Sequence, residues 1–205
     1  MTSTALLTDE QLLSQHFREM EAWDDACWDI VVNSGPSHIY AATGQHIFEA
    51  YWRTLVFDTN PENRGTIAPP ELKSSYEHWA SSYGTMNELE RLTTERPPGY
   101  GLAQAMGLSS VASVQAMRGR AFDDAFRTYA AGRKFCATGR GYIGWVPVAA
   151  REGDLVCYFE ENTLPFVIRG CEEGGYRVVG DCYLHGMMHG PGLDAVPRSR
   201  KIVLH

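Results

Sequence analysis

Gly153-Asp154-Leu155-Val156-Cys157-Tyr158-Phe159, Pro165-Phe166-Val167-Ile168-Arg169 and Tyr176-Arg177-Val178-Val179 are short apolar runs separated by turn formers. The turns are Glu161-Asn162-Thr163 and Glu172-Glu173-Gly174-Gly175. Runs this short, rich in valine and aromatics and set at hairpin spacing, predict antiparallel strands. Upstream, Gly141-Tyr142-Ile143-Gly144-Trp145 is short and bounded by glycine, and Tyr142–Trp145 is read as a further strand. Ile202-Val203-Leu204 is placed to close the sheet. The β region therefore begins near residue 132 and forms a small antiparallel sheet or barrel.

Before residue 132 the periodicity is helical. Thr8-Asp9-Glu10-Gln11 has the form of a capping box, and Leu12, Leu13, His16, Phe17 and Met20 follow at helical spacing. Asn33-Ser34-Gly35-Pro36 ends that helix. Phe48, Tyr51, Trp52 and Leu55 form an i, i+3, i+4, i+7 stripe, and Leu72, Tyr76, Trp79, Ala80 and Tyr83 form another. A last stretch carries Val111, Val114, Phe122, Phe126 and Tyr129 and is weakened by Gly119. The expected fold is α+β: a single domain, 1–205, in which a mainly helical layer (1–131) packs on a mainly β module (132–205).

Composition narrows the function. The net charge is -7, with no clustered Lys/Arg face, so nucleic-acid binding is not expected. The densest basic group, Arg198, Arg200 and Lys201, reads as a solvated tail. The five cysteines are odd in number and form no C-x-x-C pair, which suits a reduced, cytoplasmic protein. No signal peptide and no membrane-spanning run is expected. No phosphate-loop pattern occurs. His185 and His189 are four apart, but Gly186 and Gly190 argue against a helix, and no further ligand has suitable spacing. Neither a metal nor a cofactor is expected.

Five ordered segments resemble the C-terminal region of fungal heterokaryon-incompatibility (HET) proteins. They are Glu49-Ala50-Tyr51-Trp52-Arg53-Thr54-Leu55 with Asp58; Arg133-Lys134-Phe135, Thr138, Gly141-Tyr142-Ile143-Gly144 and Pro147; Gly153-Asp154-Leu155-Val156-Cys157; Pro165-Phe166-Val167-Ile168-Arg169; and Val179-Gly180-Asp181-Cys182-Tyr183-Leu184-His185-Gly186-Met187-Met188. His189 replaces the acidic residue usual after the final Met of that pattern. The HET domain that normally precedes the region is expected to be missing, so its activity is not carried over. For stand-alone relatives in fungal biosynthetic clusters, the resemblance implies small-molecule cyclisation of the Diels–Alder type on a hydrophobic, terpenoid substrate. The alternative is a non-catalytic interaction or regulatory module derived from a HET protein.

The candidate site follows from both readings of the residues. If 178–185 is one strand, Asp181, Tyr183 and His185 share a face. They can then polarise a carbonyl or relay a proton, or serve as structural hydrogen-bonding groups. Arg53 can clamp an anionic group or hold Asp58. Trp52, Trp79, Tyr142 and Trp145 are expected to wall an apolar cavity between helices and sheet, with Arg53, Asp181, Tyr183 and His185 at its polar end. Cys157 and Cys182 lie in apolar runs and read as inert core thiols.

Overall fold

The computed structural model describes residues 9–34, 38–95, 97–99, 101–159, 162, 164–188 and 201–205, and side chains from residue 15 onward. Thr8 of the capping pattern, Gly35-Pro36, Glu161 and Thr163 of the predicted turn, His189, Arg198 and Arg200 lie outside these residues. The fold is α+β. In chain order it runs α1 (Asp9–Asn33), β1 (Ile39–Tyr40), β2 (Gln45–His46), α2 (Ile47–Leu55), α3 (Leu72–Glu95), α4 (Leu102–Ala130), β3 (Arg133–Ala137), β4 (Ile143–Pro147), β5 (Leu155–Tyr158), β6 (Pro165–Gly170), β7 (Tyr176–Asp181) and β8 (Tyr183–Leu184). The chain divides into two compact units, each built from two stretches: Met1–Ala26 with Pro69–Asp124, and Cys27–Ala68 with Ala125–His205. The helices α1 and α4 each contribute residues to both.

The first unit is helical. Its core is aromatic: the Trp79 ring lies 5.1 Å from Tyr83, 5.2 Å from Phe122 and 6.0 Å from Tyr76. The indole N–H of Trp79 donates to Asp123 Oδ1 at 2.9 Å, which satisfies its one polar atom. The Ser75 hydroxyl ties α3 to α4 twice, donating to the Arg118 carbonyl (2.9 Å) and accepting from the Phe122 N–H (3.3 Å).

Gly119, read from sequence as a weak point, interrupts nothing, because α4 is continuous through it. A Cβ there would lie 2.7 Å from Trp79 N and Cα, so the missing side chain is what lets the two helix backbones approach. The same close packing decides which residues of this stretch face α3. Val111 and Val114 are exposed, and the covered register is Ala105, Leu108, Ala112, Gln115, Gly119 and Phe122.

The second unit carries the β structure. Two antiparallel three-stranded sheets run in the orders β3-β4-β8 and β5-β6-β7. They do not close into a barrel among the described residues. The chain passes from one sheet to the other at Cys182, between β7 and β8, where the Cys182 N–H donates to the Pro165 carbonyl (2.9 Å). The segment 178–185 is thus two strands in two sheets. The end of the chain adds to the β7 edge through a parallel bridge, Tyr176 to Leu204. The helix α2 has only nine residues, too few to be stable alone. It persists because Ala50 to Leu55 are all buried.

Two opposed effects decide the outcome of Gly119→Ala. Alanine favours a helix by about 1 kcal/mol over glycine. A methyl pressed into a helix backbone at 2.7 Å costs about 1–3 kcal/mol or more. We expect net destabilisation of about 1–2 kcal/mol in urea unfolding followed by circular dichroism; a variant more stable than wild type would show that the crossing has slack.

Candidate functional site

The matched segments converge in the second unit, and they do so by pairing with one another. Arg53 is the centre. Its Nε donates to Glu49 Oε1 (2.7 Å), and its Nη1 donates to Asp58 Oδ1 (2.7 Å) and to the Ala68 carbonyl (2.5 Å). Burial pulls its pKa down, but the hydrogen bonds it donates to Asp58 and Glu49, with their negative charge, outweigh that and raise it. Glu49 also accepts from the Trp52 indole (2.8 Å), and the Arg53 guanidinium lies 4.5 Å from the Trp52 ring centre. One residue on, the Thr54 carbonyl accepts the Trp145 indole N–H at 2.9 Å, which joins α2 to β4.

Asp58 closes a turn after α2 in which Phe57 (φ 58°) and Asp58 (φ 47°) are both left-handed. Each costs roughly 1–2 kcal/mol for a residue with a side chain. The turn directs the Phe57 ring against Tyr183 (centroids 4.6 Å, 19° between planes) and Tyr129 (5.1 Å, 23°). The Arg133 guanidinium lies 5.5 Å from the same ring and pairs with Asp181 at 2.6 Å.

The β1–β2 hairpin sets Tyr40 opposite Gln45, and both reach His185. The β4–β8 ladder pairs Gly144 with Leu184 and Trp145 with Tyr183. At the next pair, the His185 N–H donates to the Ile143 carbonyl (2.9 Å), and the Tyr40 hydroxyl completes the other half. It accepts from the Ile143 N–H (3.2 Å) and donates to the His185 carbonyl (3.0 Å). Gly144 makes this ladder possible, since a Cβ there would stand 1.9 Å from the Tyr183 carbonyl oxygen.

The His185 side chain is 2 % exposed. Its Nδ1 lies 2.9 Å from the Tyr183 hydroxyl and its Nε2 2.7 Å from Gln45 Oε1. The Gln45 oxygen can only accept, so Nε2 carries the proton and Nδ1 accepts from Tyr183. Burial pushes the imidazole down to about 4 and holds the Tyr183 phenol well above its usual range. The chain Tyr183→His185→Gln45 is therefore a neutral, polarised hydrogen-bond relay. It ends at Gln45, which also accepts from Thr43 at 2.8 Å.

Of the sequence-predicted polar residues, Tyr183 and His185 meet in this relay, while Arg53 belongs to the α2 network. Asp181 is held by Arg133, because the sheet switch at Cys182 breaks the strand parity that would have aligned all three. Trp52 and Trp145 are buried. Tyr142 sits half-buried at the β3–β4 turn. Trp79 belongs to the helical unit. That unit also bears a groove of about 540 Å³, lined by Arg18, Glu21, Asp25, Glu90, Arg91 and Glu95, charges that suit no apolar ligand.

Burial raises the Cys182 thiol to about 12 and Cys136 to about 11, so both stay protonated. Among the described residues no three His, Cys, Asp or Glu side chains gather as metal ligands, and no helix is long and apolar enough to cross a membrane. Phe57, Tyr40 and Gln45 are the site residues that sequence reasoning missed. The one available signal was Thr43-Gly44 between the short runs at 39–40 and 45–47, a hairpin pattern.

These features define an α+β chain whose matched segments are knit together by reciprocal polar contacts. Residues 24–201 match the family model described as the Het-6 beta-barrel domain, and the chain belongs to that family. Comparison with curated proteins and with solved structures gives no match.

The relay makes stability depend on pH. His185 is near 4 when folded and near 6.5 when unfolded, so the unfolded chain binds the extra proton between these values. Its contribution is complete above about pH 6.5 and is lost as pH falls towards 4. The loss from pH 7 to pH 5 should be about 2 kcal/mol. Chemical denaturation at the two pH values checks this, with His185→Gln expected to flatten the dependence; an equal slope in the variant assigns the effect elsewhere.

Proposed function

We propose that this chain is a non-catalytic interaction module of a heterokaryon-incompatibility-type protein, and that the matched segments specify its scaffold. The observation that carries the reading is the destination of their polar groups. Arg53 is spent on Glu49, Asp58 and the Ala68 carbonyl; Arg133 on Asp181; and Arg169 on Asp154 through two contacts of 2.7 Å each. The indoles of Trp52 and Trp145 and the Tyr183–His185 pair likewise bond within the chain. The ion pairs of Arg53, Arg133 and Arg169 all join residues of the motif pattern, and for Arg133 and Arg169 the partners come from different segments. A catalytic group must instead present a donor or a lone pair to a substrate.

The competing expectation is a cofactor-free cyclase acting on a hydrophobic, terpenoid substrate. It needs the Tyr183 hydroxyl or the His185 imidazole to polarise a substrate carbonyl, with the tryptophans folding the chain of carbons. Under that reading a donor matters as far as its bond strengthens in the transition state, and Tyr183→Phe slows turnover with the fold intact.

The two readings separate on stability. As scaffold, Tyr183→Phe removes a buried hydrogen bond and leaves Nδ1 of His185 unsatisfied, at a cost of about 1–3 kcal/mol. Arg53→Ala strands two carboxylates and a carbonyl and should cost about 3 kcal/mol or more. Equilibrium urea unfolding reads both. If Tyr183→Phe unfolds at the wild-type midpoint with the wild-type slope, its hydroxyl does not hold the fold and the scaffold reading fails.

A further inference from the structure

The turn between β6 and β7 ends in two glycines, Gly174 (φ 85°) and Gly175 (φ 76°). Gly175 has a second reason to be glycine. A Cβ there would stand 2.8 Å from both the Val203 carbonyl oxygen and His205 Nε2, so its bare backbone is a seat for residues 201–205. That segment lies along the side of β7 opposite β6, in parallel sense. The Tyr176 N–H donates to the Val203 carbonyl (2.8 Å), and the His205 N–H donates to the Tyr176 carbonyl (2.9 Å). His205 Nε2 donates to the Gly174 carbonyl (3.0 Å).

These polar contacts are the main grip. Val203 is 63 % exposed and Leu204 47 %, so neither side chain fills a pocket. Each such bond replaces one to water, and ordering the segment opposes it. The edge is also only partly used. Strand parity puts the N–H and C=O of Val178 on the same side of β7 as those of Tyr176. Yet the next bond of a parallel ladder, from the Val178 N–H to the His205 carbonyl, is not formed among the described residues. Beyond Val178 the strand is covered, since a Cβ on Gly180 would stand 2.7 Å from the Pro147 ring. An extended strand paired with both Tyr176 and Val178 would make more backbone bonds here than 201–205 does.

We propose that residues 201–205 are a displaceable strap on a strand-accepting edge, and that the ligand they hold off is an extended polypeptide segment of a partner, added to β7 in the same parallel sense. The strap itself shows what the edge takes: main-chain groups in register across Tyr176, with no side-chain pocket to demand one sequence. The net charge of -7 disfavours an acidic segment. This inference rests on the interaction-module reading, for which it supplies the surface. It makes no use of the Tyr183–His185 cluster, so the unfolding of Tyr183→Phe and the binding test below fail independently.

The probe is a labelled peptide with the sequence of residues 199–205, added to the full chain and followed by fluorescence anisotropy. In the wild type the tethered strap competes with it at an effective concentration on the order of millimolar. His205→Pro removes both His205 donors, so this variant should bind the peptide at least tenfold more tightly than wild type. Hydrogen exchange at the Tyr176 amide should quicken in the variant and slow again when the peptide is added. The same peptide lengthened by two valines after its histidine should bind more tightly still and protect the Val178 amide as well. Adding Gly175→Ala to His205→Pro fills the seat and should abolish binding, with circular dichroism confirming the fold. Any one of three results overturns the proposal: equal peptide affinity in wild type and His205→Pro, a Tyr176 amide that the bound peptide leaves unprotected, or a lengthened peptide that gains neither affinity nor protection at Val178.

Discussion

A guanidinium group buried at the end of a nine-residue helix is the constraint on which the β-bearing unit depends. Left unpaired, the Arg53 charge would oppose folding; here it has three partners. Those partners fix the chain after α2. Asp58 is drawn back to the helix it has just left, and its N–H also bonds the Arg53 carbonyl (2.7 Å). This holds Phe57 and Asp58 in left-handed conformations that neither residue prefers. The result is a ring, Phe57, aimed where no regular helix end would put it, against Tyr183 and Tyr129.

A second constraint is that one length of chain serves two sheets. β7 pairs with β6 and β8 pairs with β4, with Cys182 between them. Such a crossing leaves ladder groups at risk of having no partner. Each is met from elsewhere: Cys182 N–H by the Pro165 carbonyl, the Ile143 N–H and the His185 carbonyl by Tyr40, and the flank by Arg133 bonding both the carboxylate and the carbonyl of Asp181. The helix α2 and the β1–β2 hairpin are thus required by the sheets as much as they are covered by them.

How much of this was legible depended on whether the signal was local. The runs at 155–159, 165–169 and 176–179 announced β5, β6 and β7, and the aromatic stripes announced α2 and α3, because burial on one face imposes a period. The strand β3 hides behind Arg133 and Lys134, and β1 and β2 have two residues each, too few to alternate. The two compact units were invisible because α1 and α4 run through the boundary without a break in helical pattern. In α4 the period held for Phe122 and Phe126, which are buried, but before Gly119 the close approach of α3 demands small residues inside, so Val111 and Val114 lie outside. At the site, the Arg53–Asp58 pair could be read from sequence because its members are five residues apart. The contacts of His185 with Gln45 and Tyr40 join positions about 140 residues apart, and nothing in either local pattern points to the other.

A buried polar relay is a poor source of net stability, since each group gives up water in exchange for a single partner. Its effect lies in selecting one arrangement. An apolar core of the same volume would accept the β1–β2 hairpin shifted along β8, because aliphatic contacts are forgiving. A shift by one residue would turn Tyr40 and Gln45 away from His185 and leave a buried phenol, an imidazole and two backbone groups without partners, at roughly 1–3 kcal/mol each. The penalty falls on the wrong registers and spares the right one. Tyr183, His185, Gln45 and Tyr40 therefore fix where the hairpin sits, the hairpin fixes where α2 begins at His46, and α2 presents Arg53 to the turn that places Phe57.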